Sequence, residues 1–364
     1  MIMKCNGKFL RKANLIAAFC LAVMLAFSSC GGNSEAEDKI KTAAKTTATA
    51  PSTAAPTTES PYIVNPLTGE QTLDKSMKDK RPVAVMINNI KVAQDVQASV
   101  GKADLVFETE VEGGITRLMA VYSDISKIKQ IGTVRSARYS YAELACGLDA
   151  RYVHCGSDNK YCTPLMNELS LDHLDLGGNA SSAAKRVSNG LAYEHTLYTY
   201  GDKLKTLYGK GRTDIRNSAK NPLYFSDKAQ KYDDDAAKVS VRMSGSYTTT
   251  FTYDSSAKKY TRGDKVYDAF RDCVTDEKEQ FSNVIVMFTN VYALSDGQHM
   301  KSDLDSGSGY CFSQGTKCAI KWKKGSSTSP LKFYDEDGND FKLNKGNSYV
   351  LITDKSNKSN CTFE

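Results

Sequence analysis

"ADLVFETEVEGGITRLMAVYS", residues 103 to 123, sets two runs of strand-forming residues on either side of Gly113-Gly114. A glycine pair between such runs is the composition of a two-residue primed turn, so the stretch is expected to fold as a β-hairpin. With that turn Glu112 faces Ile115 and Glu110 faces Arg117, an opposite-charge cross-strand pair contributing roughly 0.2–1 kcal/mol. Strand side chains alternate, so Glu108, Glu110 and Glu112 share one face, while Phe107, Thr109 and Val111 share the other with Leu118. The apolar face is expected to point inward.

On either side of the hairpin the chain alternates between strand-like and helix-like pieces. "RPVAVMI" is a compact apolar run with Pro82 at its start, where a strand tolerates it. "KVAQDVQASVG" reads as a short helix closed by Gly101, "SARYSYAELACG" as a helix, "ARYVHCG" as a strand, and "NKYCTPLMNELS" and "TYGDKLKTLYG" as further helices. This alternation predicts an α/β domain over 61–220, a mixed sheet with flanking helices. The composition turns polar over 221–237. Beyond it, over 238–364, strand signals separated by Gly, Asp and Ser turns predict a mostly-β domain.

The N-terminus bears on the compartment. Lys4, Lys8, Arg11 and Lys12 precede an apolar run from Leu15 to Phe27, which is too short to span a membrane and stops at Ser28-Ser29, before Cys30. This predicts a lipoprotein signal over 1–29, cleaved so that Cys30 carries the lipid. Residues 30–60, rich in Thr, Ala, Ser and Pro, cannot bury enough apolar area to offset ordering entropy, and form a tether spanning roughly 30 Å. Without the leader the chain carries 44 Lys and Arg against 42 Asp and Glu, a balance that gives no electrostatic case for nucleic acid. Seven cysteines remain beyond Cys30, an odd number at irregular spacing that argues against a complete disulfide framework. No CxxC or HxxxH occurs, and neither a metal nor a cofactor is expected.

Three stretches suggest ligand loops without meeting their requirements. "GGNASSAAKR" lacks the GK[ST] ending of a phosphate loop. "DEDGND", residues 335 to 340, has its glycine too early for an EF-hand and reads as a hairpin turn. "IKWKKG" holds the only tryptophan, Trp322, in a strand whose alternating lysines mark a wet face.

"RPVAVMINN", "ADLVFETEVEGGITRLMAVY", "IGTVRSAR", "RYVHCGS", "NVIVM" and "YCFSQGTKCAIKWKKG…PLKFYDEDGNDFKLNKGNSYVLI" together resemble the YerB-like lipoproteins of Gram-positive bacteria, over roughly Tyr62 to Thr353. Both halves of that family are domains of unknown function, an α/β domain and a C-terminal domain. The resemblance implies architecture and extracytoplasmic anchoring, and carries over no reaction and no ligand.

The candidate site is therefore read from the residues alone. Arg135 and Arg138 lie where a helix is expected to begin near Ser136, beside the positive end of its dipole. Such cations call for an anion, either an internal carboxylate from Glu108 or Glu112, or a bound phosphate or carboxylate. Arg117 has the hairpin partner described above. His154 ends a strand, followed by Gly156-Ser157, where α/β sheets present ligand groups, and His195 could share a cleft with it. Cys155 points away from His154 in an extended segment, so the two make no nucleophile–base pair.

Arg117, Arg135, Arg138, His154, Glu108, Glu112 and His195 thus form the candidate set for an anion. The reading is a lipoprotein on the outer face of the cytoplasmic membrane that binds rather than catalyses, its partner a cell-wall polymer or an envelope protein. Two alternatives stay open. In one, Glu108, Glu112, His154 and the arginines form the site of a hydrolase or transferase acting on envelope carbohydrate or peptide. In the other, the chain is an assembly factor with no small-molecule site.

Overall fold

The structure, a computed structural model, describes residues 60–208, 214 and 223–364. The expected signal peptide, Cys30 and nearly all of the tether lie outside these residues. The first region supplies β1 (Val83–Asn88), β2 (Leu105–Glu110), β3 (Thr116–Tyr122), β4 (Arg151–His154) and β5 (His173–Asp175), with helices α1 (Tyr139–Gly147), α2 (Cys162–Glu168) and α3 (Gly201–Tyr208). The second is mostly strand: β6 (Lys238–Arg242), β7 (Thr248–Asp254), β8 (Lys259–Gly263), β9 (Asn283–Thr289), β10 (Ser306–Ser313), β11 (Thr316–Lys323) and β12 (Ser348–Asp354).

One 11-stranded mixed sheet takes strands from both regions, in the order β11, β10, β9, β12, β2, β3, β1, β4, β5, with short strands added at the β11 end. The seam is the parallel pairing of β12 with β2, from Ser348 opposite Leu105 to Ile352 opposite Thr109. Strands β9, β12, β2, β1, β4 and β5 all run the same way, which brings their C-terminal ends, Thr289, Asp354, Glu110, Asn88, His154 and Asp175, to one edge. Most of the inner strands are buried along their whole length: every residue of β1, β3, β4 and β9 is buried. Such strands read as continuous apolar runs, because both faces are covered.

On one face the cover is the antiparallel sheet of β6, β7 and β8, whose Val239, Val241, Phe251 and Tyr260 pack with Val85, Val106, Leu118 and Leu351, and α3 adds Leu204 and Leu207. On the other, Tyr141, Ala142 and Ala145 of α1 and Leu165 and Met166 of α2 pack against Met86, Phe107, Met119 and Val350, continuous with Trp322 and Phe333. The cover for the first face thus comes largely from the second region of the chain.

The hairpin corrects the expected register. The loop is a 3₁₀ turn over Glu112–Gly114, Glu110 stands opposite Thr116, and Arg117 stands opposite Thr109. A slip of one residue exchanges the faces. Glu108 therefore shares its face with Leu118, and Arg117 goes to the opposite face with Met119. No pair of Glu110 with Arg117 forms; the Glu110 carboxyl is instead raised above its ordinary value by partial burial and by Asp354. The expected helix after Pro82 also shrinks, to the single turn Lys91–Gln94 followed by a 3₁₀ turn over Val100–Lys102. Cys155, Cys162, Cys311, Cys318 and Cys361 are free thiols.

Candidate anion-binding site

Helix α1 begins at Tyr139, three residues after the expected Ser136, and Arg138 itself occupies the N-cap position without a side-chain cap bond. The preceding segment is held extended by two neighbours: Arg135 N donates to Met86 O of β1, and Ala137 N donates to Gly156 O beyond β4. This suspends Arg135 to Arg138 across the C-terminal edge of the parallel strands, the part of an α/β sheet where ligand groups gather. Asn88, at the end of β1, is in register with Arg117 on β3.

Of the expected carboxylates, only Glu112 reaches this edge. Its Oε2 accepts from Arg138 Nε at 2.6 Å, while Oε1 is buried without a partner. Glu108 does not belong to the site. It is fully buried on the other face, where its carboxylate accepts from Thr116 Oγ1 at 2.7 Å, Tyr349 OH at 2.7 Å and Thr249 Oγ1 at 2.9 Å, with Asn89 Nδ2 at 3.2 Å. These bonds tie the main sheet to the sheet covering it, and they satisfy a charge that would otherwise be costly to bury.

Arg117 is the residue that decides what the cluster is. Four arginines are buried among the described residues: Arg81, Arg117, Arg151 and Arg262. Arg81 binds Asp172 at 2.8 Å and Asp149 at 3.1 Å, Arg151 binds Asp172 at 3.0 Å, and Arg262 binds Glu279 at 2.6 Å. Arg117, only 5% exposed, has no carboxylate within ion-pair distance among the described residues; there its guanidinium makes a single hydrogen bond, from Nη1 to Ser136 O at 2.8 Å. Burial, and then the like charge of Arg138, pull its guanidinium down to about 9, against the opposing pull of Glu112. Arg117 is still a cation at neutral pH, held in a place that disfavours one.

Arg135 repeats the pattern more mildly. It is half-buried, Nη1 donates to Glu194 O at 3.0 Å, and Nε is buried without a partner. Burial lowers its pKa, as do the nearby charges of Arg138 and Arg186, while Glu194 opposes. Four guanidiniums thus act on one another here, with Glu112 and Glu194 as the carboxylates among them. Glu110, Asp175 and Asp354 end strands along the same edge, so the positive excess is confined to this cluster, where Arg135 Nε is left without a partner.

The histidines lie in the surroundings of this cluster. His154 Nδ1 faces Gly156 O at 2.9 Å and Nε2 faces His173 Nδ1 at 3.0 Å. The carbonyl can only accept, which fixes the proton on Nδ1 and leaves Nε2 to accept from His173. Burial drives the pKa of His154 down to about 4, helped by His173 and opposed by Asp175, so it is neutral at pH 7. His195 does not share hydrogen-bond partners with it: Asn88 Nδ2 donates to His195 Nδ1 at 2.9 Å, and Nε2 lies 3.8 Å from Glu194 Oε1.

The hydrolase reading needs Glu108 beside His154, and that pairing does not form; the carboxylate next to His154 is Asp175, which accepts from Gly156 N at 2.9 Å. Both nitrogens of His154 are occupied within the protein, Glu108 is on the opposite face, and burial pushes the Cys155 thiol up and away from thiolate. Asn88, His173, Asp175 and Arg186 were not evident from the sequence. The one hint was the pair Asn88-Asn89 ending an apolar strand.

Two clefts of about 460 and 430 Å³ open on the opposite edge of the sheet, around Lys102. The first is lined by ions that already pair, Lys102 with Glu277 and Arg271 with Asp276. Neither cleft holds an unpartnered buried cation.

Two family models match the chain, the N-terminal domain of "Protein of unknown function (DUF3048)" over residues 67–214 and its C-terminal domain over 239–350. The chain belongs to this YerB-like family. It is 28% identical over 266 residues to the Bacillus subtilis (strain 168) protein named "Putative lipoprotein YerB", a match covering 71% of this chain and 77% of that one. The crystal structure of the YerB protein from Bacillus subtilis superimposes with a TM-score of 0.71 at 25% identity, covering 83% of this chain and 99% of that one. No helix among the described residues is long and apolar enough to cross a membrane.

Proposed function

We propose that the protein is a lipoprotein tethered through Cys30 to the outer face of the cytoplasmic membrane, and that its arginine cluster binds an anionic group of a cell-envelope ligand. The observation that carries the binding reading is Arg117, the one buried arginine among the four with no carboxylate partner. A buried cation without a counter-ion costs several kcal/mol, and a phosphate or carboxylate arriving beside Arg117, Arg135 and Arg138 removes that cost while making charge-assisted hydrogen bonds. The likeness to a named lipoprotein and the leader ending at Cys30 support the anchoring.

Titration calorimetry with inorganic phosphate and with acetate tests the site. One saturable site, weakened at least tenfold by Arg135→Gln, is expected; absence of binding, or affinity unchanged in that variant, refutes the reading. Fractionation tests the anchor: Cys30→Ser moves the protein from the membrane to the soluble fraction if the cysteine carries the lipid, and leaves it unmoved if it does not.

A further inference from the structure

Tyr193 is 72% exposed, among the most exposed large hydrophobic side chains in the described residues, and it is not loosely held. The Arg186 guanidinium carbon lies 3.5 Å from the centre of its ring, and Arg186 Nη1 donates to Tyr193 O at 2.6 Å. A cation stacked on one face fixes an aromatic ring in place and leaves the other face open. The ring belongs to the 3₁₀ turn Tyr193–His195, whose next residue, Glu194, accepts from Arg135 through its backbone carbonyl. His195 in the same turn is held by Asn88 from the end of β1, and Asn189 Nδ2 donates to its carbonyl at 2.8 Å. The turn is therefore rigid, and it sets a clamped, exposed aromatic face beside the arginine cluster, where Arg186 and Arg135 act on each other's charge.

Resting on the anion reading above, we infer that the ligand bears its phosphate on a ring, a glycosyl or nucleoside phosphate whose ring lies on Tyr193 while the phosphate meets Arg135 and Arg117. An aromatic face is a poor partner for a bare, strongly hydrated anion and a good one for the apolar face of a pyranose or a base. The cluster takes the charge and Tyr193 takes the ring.

The test compares four probes by calorimetry on residues Pro61 to Glu364, which hold every strand and helix of the described residues: inorganic phosphate, glycerol 1-phosphate, glucose 1-phosphate and uridine 5′-monophosphate. At least one ring-bearing ester is expected to bind fivefold or more tightly than glycerol 1-phosphate, which has the ester and hydroxyls but no ring. That advantage is expected to vanish in Tyr193→Ala and persist in Tyr193→Phe, and the ester that shows it names the source of the ring. Equal affinity for ring-bearing and ringless esters, or an advantage surviving Tyr193→Ala, overturns the inference and leaves the anion site standing. If no phosphate binds, both fall together.

Discussion

Replacing Arg117 by Met separates a staple from a binding group. The substitution keeps an unbranched apolar stem on the face shared with Met119, and removes the charge and the bond to Ser136 O. Burial and Arg138 bring this guanidinium from 12.5 to about 9. At about 1.4 kcal/mol per tenfold change, that corresponds to a strain of at most about 5 kcal/mol in the folded state at neutral pH. Local relaxation reduces it, and losing the bond to Ser136 O costs about 1 kcal/mol. Replacing a buried ion pair by well-packed apolar residues is often neutral or gains about 1–4 kcal/mol. Arg117→Met is therefore expected to stabilise the ligand-free protein by about 1–3 kcal/mol and to abolish phosphate binding. Urea unfolding followed through Trp322, the only tryptophan and 1% exposed, measures the first; calorimetry measures the second. A loss of 3 kcal/mol or more with phosphate affinity intact would show that Arg117 holds the fold together and would refute the reasoning.

Glu108→Ala leaves Thr116, Thr249 and Tyr349 without their acceptor, and should cost about 3 kcal/mol in urea unfolding without altering phosphate affinity. His154 titrates at about 4 in the folded protein against 6.5 unfolded, so the unfolded chain binds more protons between those values and stability falls on acidification through that window. The slope should be at most about 1.4 kcal/mol per pH unit, and His154→Asn should remove it from unfolding curves between pH 7 and 4.5. Gly156 sits at φ +75 with only ordinary contact from Ser136 Oγ at 3.8 Å, so Gly156→Ala should lose about 1–2 kcal/mol through its backbone alone.

The elements were largely legible in the sequence and their pairing was not. Apolar runs such as "RPVAVMI" and "NVIVM" announce strands wherever they sit, and the α/β region followed by a mostly-β region emerges from the alternation of such runs with helical patterns. That β12 joins β2 in parallel depends on contacts between residues some 240 positions apart, and no local pattern encodes it. The hairpin misled for a related reason. Taking one face as wet put the three glutamates outward together, yet both faces are covered, and Glu108 inside is satisfied by Thr116 and Asn89 nearby together with Thr249 and Tyr349 from the distant second region.

Around the helix start, the sequence placed Arg135 and Arg138 and offered Glu108 or Glu112 as their carboxylate, while it assigned Arg117 to Glu110 across the hairpin. Which carboxylates they lack was not legible, since the one-residue shift of the turn sends Glu108 and Arg117 to opposite faces. Tyr193 and Arg186 carry no signal in the chain. They meet only because the turn at Tyr193–His195 folds back over its neighbouring strand.

A crystal of the Pro61–Glu364 unit soaked in tungstate, with the anomalous signal of tungsten locating the anion, tests the central claim most directly. One strong peak is expected within hydrogen-bond reach of Arg117 and Arg135 at the C-terminal edge of the parallel strands, absent in Arg135→Gln. Tungstate bound only elsewhere, with Arg117 and Arg135 left as they are, would contradict it.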